Sequence, residues 1–277
     1  MKPEVLVIFD YSGVLSIAAP QFAQPDFLDA HLRRSGLADM GIDSPRVFWE
    51  EIVNPTWEEG SLTSVGYTRL IARRAAGHLL RTGRSAADQA LEEAAGRFVS
   101  AYLAASVIDP RWHSLLRRLS ASPRILVLIA TDHYAEATGA ILNHLAACRC
   151  RGIALRDLPA GEGGPKPGGV VIANSADLGA WKNAPSFWER IQAVLPLEAV
   201  RQAFLVEDFG AAEQEGDTYG ATERIAGRRQ RTLEVMGQVF PFPVTAIDVI
   251  PPPGRGKESW DALLAETART VMVRASG

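Results

Sequence analysis

The chain has 277 residues, 47% of them hydrophobic and 22% charged, with a formal net charge of -3. That is the composition of an ordinary soluble globular protein, long enough for one large α/β domain carrying an insertion, or for two domains. Such a charge offers no field for nucleic acid or an anionic bilayer, and no apolar run reaches the roughly 18 residues of a membrane span, so the expectation is a cytoplasmic protein without nucleic-acid or membrane partners.

The first apolar run, Val5-Leu6-Val7-Ile8-Phe9, predicts a strand buried on both faces. It delivers Asp10 to its C-terminal end, just ahead of Gly13. Open α/β sheets keep their sites at that edge, although an Asp there also serves as a turn former or helix cap. From about Ser16 to Ile108 no strand run follows. Helical patterns appear instead around Phe27–Leu32, Phe48–Ile52, Val65–Leu79 and Leu91–Tyr102, separated by breaks at Asp43-Ser44-Pro45, Asn54-Pro55, Glu59-Gly60-Ser61 and Gly83-Arg84-Ser85.

The α/β alternation resumes with a helix over Pro110–Ser120, a strand over Ile125–Thr131, a helix over His133–Ala147 and a short strand over Arg151–Arg156. Pro159–Gly169 matches no phosphate-binding fingerprint and is taken as a loop. A helix over Pro185–Leu195, a buried strand over Gln202–Val206 running into Glu207-Asp208, a helix over Thr222–Met236, an edge strand over Val244–Ile250 and a closing helix over Lys257–Arg274 complete the chain. Alternating buried strands and helices imply a Rossmann-like, three-layer parallel sheet core.

The two cysteines, Cys148 and Cys150, sit too close in sequence for easy disulfide geometry and lack neighbouring ligands for zinc, so they are expected as buried, reduced thiols. The five histidines show no metal spacing, and His133, two residues past Thr131, is the one near the strand ends. It is expected at a helix N-terminus, with an acid–base role as the sharper alternative. Trp49 and Trp57 are expected either in the core or along a substrate cavity.

The polar strand ends and one lysine form an ordered set: Asp10, a helical insertion, Thr131, Lys182 ahead of a helix, then Glu207-Asp208. In this order, up to about Gly220, the chain resembles the haloacid dehalogenase-like hydrolases. The resemblance implies a core at residues 1–15 and 109–277 and an inserted α-helical cap at 16–108. It makes Asp10 the nucleophile, and Ser12, Thr131 and Lys182 its catalytic neighbours. Asp10, Asp208, Glu207 and Ser12, with a backbone oxygen, become ligands of Mg²⁺, and Glu213 competes with Glu207. Tyr11, Gly13, Asp132 and Arg33 become substrate-binding residues. The implied substrate is a small, anionic, phosphorylated metabolite. The oligomeric state stays open, a homodimer among the options.

The residue types suit that chemistry. A carboxylate is a weak nucleophile and needs its charge offset and its geometry fixed. Lys182 can do the first, and the Thr131 hydroxyl can donate to a phosphoryl oxygen. One departure stands out. The family's phosphatases place a second Asp two residues after the nucleophile as general acid, and here that position is Ser12. Losing positioned acid–base help typically costs about 10²–10⁴-fold, so a substrate with a good leaving group is expected.

Two alternatives stand beside this reading. One is a metal-independent 2-haloacid dehalogenase, with Arg33 or Arg34 receiving the substrate carboxylate. The other is a catalytically impaired protein that binds a ligand or a partner protein. A Schiff-base mechanism like that of phosphonoacetaldehyde hydrolases is excluded, because no lysine lies between Lys2 and Lys166 to arm the cap.

Overall fold

The computed structural model describes residues 2–159, 169–212, 222–250 and 257–276. Among them six strands form one parallel sheet: β1 (Val5–Phe9), β2 (Ile125–Thr131), β3 (Arg151–Ala154), β4 (Gly169–Asn174), β5 (Gln202–Glu207) and β6 (Val244–Asp248), in the order β3-β4-β2-β1-β5-β6. β1 lies near the middle, in register with β2 through Phe9 and Ile129 and with β5 through Phe9 and Val206. Burying its five side chains contributes on the order of 10 kcal/mol of gross transfer free energy, most of it offset by chain entropy.

The strand period of two sorts these side chains between two helical layers. Val5, Val7 and Phe9 pack with α7 (His113–Ala121), α8 (Glu136–Ala147) and α12 (Lys257–Ser276). Leu6 and Ile8 pack with α10 (Pro185–Val194) and α11 (Thr222–Val239). The expected three-layer α/β core is therefore observed.

Two expectations need correction. β4 was not anticipated, because Val170–Ala173 is a short apolar run emerging directly from a Gly/Pro-rich stretch; it is buried throughout and pairs with both β2 and β3. The loop expected over Pro159–Gly169 lies mostly outside the described residues. Helix α8 begins at Glu136 rather than His133, since His133 to Ala135 form the turn leaving β2.

Between β1 and β2 the chain is helical: α1 (Ala18–Phe22), α2 (Pro25–Ser35), α3 (Pro45–Val47), α4 (Asn54–Leu62), α5 (Tyr67–Arg81) and α6 (Asp88–Ala105). These helices bury a cluster of their own, including Leu32, Phe48, Leu70, Ala94 and Phe98. The break expected at Asn54-Pro55 does not occur. A π-helical turn over Phe48–Val53 joins α3 to α4 and carries the chain past the proline. Pro55 has no N–H for the carbonyl of Glu51, and that carbonyl instead accepts from Arg74 Nε at 2.8 Å.

Gly60 is not a breaker either. It lies inside α4, and a Cβ there would stand 2.3 Å from the Tyr134 ring, so its smallness admits a side chain from the sheet side. That contact helps to seat the helices on the core. So does Glu136, at the start of α8, whose carboxylate accepts from the amides of Tyr67 (2.8 Å) and Thr68 (3.1 Å) at the N-terminus of α5.

Candidate active site

The register of the sheet fixes the site. Asp10 follows the residue paired with Ile129 and Val206, so it stands level with Glu207, and its amide donates to Val206 O at 2.9 Å. Their side chains share a sheet face, which places two carboxylates side by side. Lys182, in the turn before α10, reaches between them: Nζ lies 2.9 Å from Asp10 Oδ1 and 2.7 Å from Glu207 Oε2. All three are buried. The lysine's backbone is itself held, its amide donating to Asp132 Oδ1 at 3.0 Å and its carbonyl accepting from Trp188 Nε1 at 2.6 Å.

After β5 the chain turns sharply. Phe209 has φ +53 and Gly210 φ +85, and a non-glycine residue there costs on the order of 1–3 kcal/mol. The turn directs amides back onto the acids. Glu207 Oε1 accepts from Phe209 N at 3.3 Å, and the two Asp208 oxygens accept from Gly210 N and Ala212 N, each at 2.9 Å. Gly13, with φ +78, completes the enclosure. A Cβ at this position would lie 2.2 Å from Asp208 Oδ2, so the loop after β1 can close on that carboxylate only as glycine.

Asp10, Glu207 and Asp208 each present an oxygen within 4.8 Å of the other two. Three carboxylates face one ammonium, leaving a formal excess of negative charge when all three ionise. The titration of the acids reflects this. Glu207 is pushed well above its usual range, first by burial and then by Asp10, while Lys182 opposes the shift. Asp208 is pushed up to about 7 by burial and Asp10, against the pull of its two backbone hydrogen bonds. Buried like charges of this kind are relieved by a proton or by a cation, and this cluster could hold a metal. An all-oxygen donor set of carboxylates is the chemistry of a hard divalent ion such as Mg²⁺.

These groups form the floor of a cavity of about 140 Å³. Ser12, Thr131, Asp132, Asn183 and Arg228 also line it, and its opposite wall is aromatic: Phe22, Phe48, Trp49, Trp57, Phe98 and Tyr102, with Tyr134 from the β2–α8 turn. His133 lines it too, from a buried position. Its Nδ1 accepts from Tyr134 N at 2.8 Å, its Nε2 meets the Tyr102 hydroxyl at 2.9 Å, and burial lowers its pKa to about 4. The ring is therefore neutral with its proton on Nε2, engaged by Tyr102. Ser175 Oγ, just past β4, accepts from His133 N at 3.0 Å and fixes the turn.

Of the residues singled out from the sequence, Asp10, Ser12, Thr131, Asp132, Lys182, Glu207 and Asp208 converge on one cavity. Four do not line it. Tyr11 falls on the other face of the sheet with Phe9. It is buried in that core, where its hydroxyl donates to Ser106 O and accepts from His144 Nδ1 at 2.6 Å. Gly13 packs against Asp208 rather than a ligand. Arg33 is exposed and paired along α2 with Asp29 at 2.9 Å, and Arg34 is exposed as well. Glu213, Asp217 and Tyr219 lie outside the described residues. Cys148 and Cys150 are buried free thiols, Cys148 raised to about 11 by burial.

The sequence reading missed Arg228, Phe22, Phe48, Tyr67, Phe98, Tyr102 and Tyr134 as cavity residues. Trp49 and Trp57 are both in its wall. Aromatic side chains at helical spacing signal burial, but not what they are buried against.

No protein-family model matches the chain, and no curated protein matches it. Among solved structures it is similar to a 2-haloacid dehalogenase from Pseudomonas syringae pv. tomato DC3000 (18% identity, 96% of this chain and 99% of that one, TM-score 0.46). It is also similar to an L-2-haloacid dehalogenase from Xanthobacter autotrophicus (12%, 94% and 80%, TM-score 0.45). A third likeness is to YfnB from Bacillus subtilis, named as a HAD-hydrolase and bound to magnesium (14%, 95% and 99%, TM-score 0.44). The solved structures it resembles are thus of the haloacid dehalogenase type. Among the described residues no helix is long and apolar enough to cross a membrane.

Proposed function

We propose that this chain is a haloacid dehalogenase-like hydrolase with Asp10 as nucleophile, acting with Mg²⁺ on a small, anionic, phosphorylated metabolite. Residues 1–15 and 109–277 would form its core, and residues 16–108 its helical cap. The observation that carries this reading is the buried set Asp10, Glu207 and Asp208 around Lys182, at the C-terminal edge of a parallel sheet and facing a cavity.

In this reading Asp10 attacks the phosphorus, displaces the leaving group and becomes an aspartyl phosphate; water then attacks phosphorus, releasing phosphate and restoring the carboxylate. Lys182 orients Asp10 and offsets charge on the transferring group, while Asp132 and Trp188 keep the lysine in place. Thr131 donates to a phosphoryl oxygen. Asp10 and Asp208 would hold the metal with a backbone oxygen at Ser12. Glu207, with one oxygen on Lys182 and the other on Phe209 N, would complete the set more remotely. When bound, Mg²⁺ would shield the anionic substrate from the anionic nucleophile. Ser12 is too weak an acid to protonate an alkoxide, so the leaving group should be one that departs unprotonated, as from an acyl phosphate or an activated ester.

Turnover of acetyl phosphate and of an aryl phosphate, with and without Mg²⁺, tests this. Metal-dependent turnover is expected, falling about 10³-fold or more in Asp10→Asn. Turnover unchanged by that substitution would remove the nucleophile assignment. Arg33 and Arg34 are exposed on α2 and do not line the cavity, which weighs against the dehalogenase alternative with either of them as carboxylate receptor. Halide release from 2-haloacids in chelator would restore that alternative.

A further inference from the structure

The floor and the wall of the cavity differ in kind. The reacting groups all come from the sheet edge and its loops. Among the described residues, the helices between β1 and β2 send no charged side chain into the cavity and line it mainly with rings, Phe22, Phe48, Trp49, Trp57 and Phe98, the polar exceptions being the Asn54 amide and the Tyr67 and Tyr102 phenols. These rings hold one another. Phe48 and Phe98 lie 4.9 Å apart between centroids, Phe22 and Phe98 5.6 Å, and Phe48 and Trp49 6.2 Å. The Tyr102 hydroxyl beside them is met by neutral His133.

A hydroxylated ligand body placed against this wall would give up water and find few partners. We infer that the substrate carries an apolar body, an aryl ring or a compact branched hydrocarbon, on its anionic reacting group, and that sugar-like bodies are disfavoured. This rests on the hydrolase reading for the reacting group, but not for the body. The cavity of about 140 Å³ takes the anionic group and the body together, and a dry apolar cavity of roughly 150 Å³ is filled by a single benzene ring, so the body is compact, one ring at most. Interlocked rings form such a wall before the ligand arrives, which limits the ordering cost of binding. Discrimination by an apolar pocket against a body bearing an extra hydroxyl is about 10–10²-fold.

Calorimetric binding to the full-length protein in Mg²⁺ tests the inference with non-hydrolysable probes: phenylphosphonate, 2-hydroxyethylphosphonate and methylphosphonate, and in parallel benzoate against glycolate. Phenylphosphonate is expected to bind at least about tenfold more tightly than 2-hydroxyethylphosphonate. Trp49→Gln, at a half-buried position, should erase most of that difference and leave methylphosphonate unchanged; Trp57→Gln is the second variant should the first fold poorly. Aryl probes that bind no more tightly than their hydroxylated counterparts, with either head group, would overturn the inference. That result alongside intact aryl phosphate turnover would leave the hydrolase reading standing. A retained preference for benzoate with no phosphonate binding would support the apolar subsite and count against the phosphoryl reading.

Discussion

The two sides of the cavity are built on opposite principles. At the sheet edge, polar groups are placed one by one: Asp10 and Glu207 by register, Lys182 by two hydrogen bonds to its backbone, and Asp208 by two amides from a strained turn. Across from them the helical wall carries shape rather than charge, and its rings are interchangeable in chemistry if not in position. The contrast teaches that loss of one floor residue should be severe and specific, whereas change in the wall should be graded and depend on the ligand.

Lys182→Met gives the largest expected effect. It leaves Asp10 and Glu207 buried without their ammonium, and should abolish turnover and cost about 3–5 kcal/mol in denaturant unfolding. An unchanged midpoint would mean that the acids are not held as charged partners of this lysine.

Next comes the pH dependence of stability. His133 has its folded pKa lowered to about 4 by burial, so it contributes stability that is complete above its unfolded pKa of about 6.5 and is lost as pH falls toward 4, by up to about 3 kcal/mol. Asp208, raised to about 7, acts in the opposite sense: its contribution is present below the unfolded carboxylate range and is lost as pH rises through 7. Melting curves from pH 4 to 8 should lose their acid limb in His133→Gln. Mg²⁺ should raise Tm most near pH 8, where Asp208 is ionised. A Mg²⁺ effect larger at pH 5 would contradict this assignment.

Gly60→Ala pushes a methyl group into the Tyr134 ring and should cost about 1–3 kcal/mol, raising KM more than it lowers kcat because the ring, not the floor, moves. Equal loss in both would tie the wall to the chemistry. Arg33→Ala should change stability by less than about 0.5 kcal/mol and leave turnover unaltered. A large loss of activity would bring the dehalogenase alternative back.

The floor was legible in the sequence because each strand announces itself as an apolar run, and a polar residue ending such a run has few roles. Asp10, Thr131 and Glu207-Asp208 were all found in that way. Tyr11 shows where adjacency misleads: with a period of two, the neighbour of a site residue faces the other layer, and counting from Phe9 would have placed it in the core. β4 was hidden because Val170–Ala173 is no longer than a buried helix segment and follows glycines. Gly60 and Pro55 looked like breaks because their partners, Tyr134 and Arg74, are distant in sequence. The aromatic wall was invisible for the same reason.

The nucleophile is the central claim, and rapid quenching during turnover of acetyl phosphate in Mg²⁺, followed by peptide mass analysis, tests it most directly. A phosphoryl adduct on the peptide containing Asp10, absent from Asp10→Asn, is the predicted result. Robust metal-dependent turnover with no adduct at Asp10, or with the adduct on another residue, would contradict the account.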